Sequence, residues 1–105
     1  MLKIYDDMLV AVRLMRGVVA VIERRDGDLA RQLKRAGSSV VLNLAEGSGS
    51  AGGVRMAWYR TALGSARETL ACLETAEAWG YVRALPEGLV DCMNRVVGTL
   101  VRIAA

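Results

Sequence analysis

A chain of 105 residues has room for one domain, 1–105, and one hydrophobic core. Hydrophobic residues make up 53% of it, yet Phe is absent and aromatics are only 5%, so the interior draws on Val, Leu, Ala, Ile and Met. Histidine is absent, which removes the commonest general base, the commonest metal ligand and every imidazole triad, and a net charge of +3 permits an anionic partner without requiring one. No enzymatic activity, no cofactor and no metal are expected.

Helix periodicity appears first over about residues 2–24, where Ile4, Met8, Ala11, Met15, Val18 and Ile22 form a heptad stripe widened by Leu9, Val12 and Val19. Asp6 and Asp7 suit its first turn and Arg24 and Arg25 its end. A break follows at residues 25–28, with Gly27 able to turn left-handed and an Asp able to cap the next helix. Helix two runs to about residue 46 on Leu29, Leu33, Ala36, Val40 and Leu44, and residues 47–53 read as a flexible Gly/Ser loop. Helix three, about 54–79, carries one stripe through Trp58, Ala62, Ser65, Thr69, Cys72, Ala76 and Trp79, and another through Tyr59, Leu63, Ala66, Leu70 and Leu73. Gly80 ends it and Pro86 suits the first turn of helix four, whose stripe is Leu89, Met93, Val96, Leu100 and Ile103. No segment alternates with the period of a strand. The fold class is all-α, and the short connections predict an antiparallel, up-down-up-down four-helix bundle.

Gly17, Gly64 and Gly98 fall inside helices, where each costs about 1 kcal/mol against Ala, and together they point to close packing, within or between subunits. Cys72 and Cys92 lack metal spacing and fall at similar heights on antiparallel helices, as a buried pair of reduced thiols would. The apolar run 8–22 is too short to span a membrane and contains Arg13 and Arg16; it lacks the order of a secretory signal, so a cytoplasmic protein with no membrane role is expected.

Helix two reads Gln32-Leu33-Lys34-Arg35-Ala36, then Ser39-Val40-Val41-Leu42-Asn43-Leu44-Ala45-Glu46-Gly47; helix three contains Leu63-Gly64-Ser65 and ends near Trp79-Gly80-Tyr81. This pattern resembles the four-helix-bundle proteins of the 23S rRNA-intervening-sequence family. It departs from them in Cys72, where the family has Gln, and in Trp79, where Leu is usual. The resemblance extends to the related accessory variability determinant of diversity-generating retroelements. It implies a homo-oligomer, a ring of five, that associates with RNA or DNA and with a reverse transcriptase.

Ser39, Asn43 and Glu46 lie four and three apart on one edge of the apolar stripe and match the family's residue types, as do Gly47, Gly64, Ser65 and Glu68. Such a polar ladder needs partners inside a bundle. Glu46 is expected to pair with Arg55, Arg60 or Arg102 at the same end, Ser65 to sit where helices approach, and Glu68 to pair across an interface.

Arg31, Lys34 and Arg35 share an outward face of helix two, beside Arg24 and Arg25. Phosphate contact is their functional reading, with Arg55, Arg60 and Arg102 next in line. Against it, Glu23, Asp26, Asp28, Glu77 and Glu87 crowd the same end, and a plain solvated face is the alternative. Trp58 and Trp79 read first as core or interface aromatics and only second as stacking platforms for bases. Helices one and three carry two apolar stripes each and helix four adds Val90, Val97 and Val101, a surplus that calls for neighbouring copies. Two functions therefore stand: a nucleic-acid-associated accessory protein, or a structural module that binds a protein partner.

Overall fold

The computed structural model describes residues 2–104. Four helices follow in order: α1 (Lys3–Glu23), α2 (Gly27–Ser48), α3 (Gly52–Ala78) and α4 (Leu89–Ala104), with no strand among the described residues. Each packs on its neighbour in the chain and α1 closes the square against α4, the α2–α3 contact being the most extensive. The result is an antiparallel four-helix bundle measuring 42 × 24 × 20 Å, whose long axis matches the 27 residues of α3 at about 1.5 Å each.

The stripe expected for α1 is buried in full, from Ile4 through Met8, Ala11, Met15 and Val18 to Ile22. α2 buries its five expected residues together with Ala30, Gly37 and Gly47. Met8, Ile22, Leu33, Leu44, Leu73, Leu89, Met93 and Leu100 line the core along the bundle, fully buried, each stabilising the fold by about 1.5–3 kcal/mol relative to exposure. Thr69 is the one polar residue described as buried, and its hydroxyl donates to Ser65 O one turn back at 2.8 Å.

The helix ends differ from the sequence expectation. Gly27 keeps an ordinary backbone and opens α2; the break is made by Asp26, whose Oδ1 accepts from Leu29 N at 3.0 Å. Residues 47–53 are mostly helical rather than a flexible loop, because the open end of α2 finds donors. Gly49 N and Ser50 N bond its last carbonyls, and Gly52 at φ +57 starts α3 at once. Pro86 lies three residues before α4 instead of in its first turn. Val82 is buried, and Tyr81 and Leu85 pack against the core, so this segment closes the bundle's end before Gly88 at φ +85 turns the chain into α4.

Other corrections concern faces. Ile103 is exposed and Ala104 takes the buried place. Trp58 and Trp79 are 36% and 70% exposed, outside the core. Gly17 and Gly64 have nothing within 4 Å of where a Cβ would stand and Gly98 meets only Arg102 Nη1 at 3.6 Å, so none marks a close approach within the chain. Cys72 and Cys92 are buried and free, with the Cys92 thiol donating to Asp7 O of α1 at 3.0 Å.

Candidate nucleic-acid interface

The polar ladder joins α2 to α3. Ser39 Oγ and Ser65 Oγ lie 2.7 Å apart, and Asn43 Nδ2 donates to Ser39 O at 2.8 Å and to Ser39 Oγ at 3.0 Å. These motif residues hold two helices at a fixed height, which is structural work. Gly47 has an equally physical reason. A Cβ there would lie 2.6 Å from Tyr59 Cδ1 and nearer still to Cε1, so only glycine lets the buried Tyr59 ring rest on the end of α2.

Glu46 does not pair with an arginine: its side chain is exposed and forms no salt bridge among the described residues. The expected partners are drawn to helix ends instead. Arg55 Nε donates to Gly47 O at 3.1 Å and Ser50 O at 2.8 Å, and Arg60 Nε donates to Ala104 O at 3.1 Å. The carbonyls at a helix C-terminus, with a lone pair to spare and the negative end of the helix dipole, are favourable acceptors for a cation. Arg102 Nη2 donates to Thr99 Oγ1 at 3.2 Å on its own helix. The sequence could not show the Arg60 bond, which joins residues 44 apart. Glu68 is exposed and unpaired among the described residues, and Gly64 is exposed beside it.

The basic face of α2 is largely free. Arg24, Arg25, Arg31, Lys34 and Arg35 are all exposed, and of these only Arg31 has an ionic partner among the described residues, Asp28 one turn back. An exposed pair of this kind contributes little and yields readily to a phosphate. Lys34 also rims a groove of about 350 Å³ between α1 and α2, floored by Met15, Val19, Leu33 and Gly37, with Arg16 of α1 on its rim as well. Sequence reasoning passed over Arg16 as a binding residue because its nearness to Lys34 depends on how α1 and α2 cross. Arg31, Lys34 and Arg35 thus lie along α2 with Arg16 across the groove, which Glu23 also lines; Arg24 and Arg25 sit at the α1–α2 turn, and Arg55, Arg60 and Arg102 are at the opposite end of the bundle.

Burial, and behind it the Glu68 charge, pushes the Cys72 thiol above its ordinary range, so it stays protonated and unreactive near neutral pH. No three His, Cys, Asp or Glu residues among those described cluster to hold a metal, and no described helix is long and apolar enough to cross a membrane. What the arrangement offers chemically is a set of exposed guanidinium and ammonium donors suited to phosphate oxygens.

No curated protein and no solved structure matches the chain. A family model described as 23S rRNA-intervening sequence protein matches residues 2–96, most of the bundle from the start of α1 into α4. The chain belongs to the 23S rRNA-intervening sequence protein family.

Proposed function

We propose that the protein is a non-enzymatic, RNA-associated accessory factor of the cytoplasm that works as a closed homo-oligomer and contacts phosphates through the basic side of α1 and α2. Membership of a family described by a ribosomal RNA intervening sequence carries this reading. The unpaired side chains of Arg24, Arg25, Lys34 and Arg35 supply its chemistry. Clustered cations of this kind bind by releasing the counterions of a nucleic acid, independently of sequence. The absence of histidine supports a binding role over a catalytic one. Self-association rests on the resemblance, with Val90, Val101 and Ile103 of α4 exposed and available to a neighbouring copy. Five subunits, and a reverse transcriptase as protein partner, rest on the resemblance to the retroelement accessory bundle.

The test joins light scattering to a titration against a structured RNA, with DNA of the same sequence as comparison. With about three phosphate contacts, affinity should fall roughly 20- to 40-fold between about 50 and about 200 mM salt. An oligomer that binds neither nucleic acid would favour the other reading, a structural module for a protein partner.

A further inference from the structure

The end of the bundle where α1 turns into α2 and α3 leads into α4 carries an aromatic ledge that the basic face of α2 does not explain. Trp79 caps α3, Gly80 follows at φ +76, Gly80 N donates to Glu77 O at 2.9 Å and Tyr81 N donates to Ala76 O at 2.9 Å. This pair of bonds across the helix end fixes both aromatic residues on the backbone. The Tyr81 hydroxyl donates to Asp26 Oδ2 at 3.2 Å, while the other oxygen of Asp26 caps α2, so one carboxylate ties the two loops together. Burial and Asp26 push the Tyr81 hydroxyl up, against the opposing charge of nearby Arg25, and it remains a donor at neutral pH.

The Trp79 and Tyr81 rings have centroids 6.5 Å apart and planes within 20° of each other. Trp79 is nevertheless 70% exposed, more than any other large hydrophobic residue described. A flat aromatic that stands in water offers an open face on which another π-surface can lie, and every nucleobase offers one. Arg24, Arg25 and Arg83 are exposed around the ledge without ion pairs among the described residues. Of the acids nearby, Asp26 is engaged by the cap and Tyr81, and Asp28 by Arg31; Glu23, Glu77 and Glu87 offset the free arginines. Phosphate attraction at this tip is therefore modest, and stacking is its main contribution.

We propose that this ledge binds an unpaired nucleotide of RNA, its base stacked on Trp79 and its flanking phosphates on Arg25 and Arg83. The proposal rests on the RNA association proposed above and adds the class of substrate, single-stranded rather than duplex RNA.

In a Trp58→Phe background Trp79 is the only tryptophan, and its emission reports on the ledge. The probes are an unstructured RNA of about 12 nucleotides and the same sequence as a blunt duplex. The single strand should quench Trp79 and bind about tenfold tighter than the duplex; with anisotropy of a labelled strand as readout, Trp79→Leu should weaken it about tenfold and Trp79→Phe much less. RNA binding with unchanged Trp79 emission and full affinity in Trp79→Leu would overturn the ledge and leave RNA association standing. Failure of both probes to bind would remove both. Quenching that grows with protein concentration without RNA would make Trp79 a contact between copies and equally overturn the proposal.

Discussion

Gly47→Ala is expected to destabilise the protein by about 1–3 kcal/mol, since the added methyl must displace the buried Tyr59 ring or shift α2 away from α3. Urea unfolding measures this; a midpoint equal to the parent's would mean the ring moves aside freely. Asp26→Ala removes a helix cap and the anchor of Tyr81 together, so it should cost about 1 kcal/mol or more in the same assay. Cys72 makes stability depend on pH in a stated direction. Its thiol is raised in the folded chain, so the unfolded chain loses that proton first as pH rises. The contribution is present below the ordinary value of 9.0 and disappears as pH climbs through the higher folded value. Stability should therefore fall more steeply as pH rises above 9.0 in the parent than in Cys72→Ala. At this scale the ladder of Ser39, Asn43 and Ser65 was legible, because spacing along one helix shows which residues share an edge. The Gly47–Tyr59 contact was not, because its register exists only once two helices have crossed.

Gly17→Ala and Gly64→Ala should each stabilise their helices by up to about 1 kcal/mol, because a methyl at either place enters open space. If Gly64→Ala instead loses stability at micromolar concentration, a neighbouring subunit lies against that face of α3. The four helices were readable from their apolar stripes, and α1 and α2 bury the residues the spacing assigned to them. The ends were not readable, and the reason is electrostatic as much as steric. Gly49 N and Ser50 N close the end of α2 where a loop was expected, while Arg55 bonds Gly47 O and Ser50 O and Arg60 bonds Ala104 O of α4, which leaves Glu46 without the arginine assigned to it. Pro86 misled for another reason: its preference for a first helical turn gave way to the burial of Val82 and the packing of Tyr81 and Leu85 over the core. Likewise, Trp58 and Trp79 continue a heptad stripe of α3 yet stand at the surface, 36% and 70% exposed, because the stripe's spacing does not say which of its members face the neighbouring helices.

For the whole molecule, the exposed Val10, Leu42, Val54, Val90, Val101 and Ile103 are distributed over all four helices, three of them on α4, where a neighbouring copy could cover them. Light scattering at micromolar concentration should give a mass above that of one chain; a monomer would contradict self-association, and a dimer would contradict only the ring of five. The cations of α2 are legible as a group because they recur at three and four residues, whereas Arg16 joins Lys34 at the same groove only through the packing of α1 on α2. The most direct test of RNA association is the affinity of a labelled structured RNA for the parent and for the triple variant Arg31→Glu, Lys34→Glu, Arg35→Glu at about 50 mM salt. All three side chains are exposed, so helix content should stay unchanged while affinity drops roughly 100-fold or more; equal affinity in the folded triple variant would contradict phosphate binding by the α2 face.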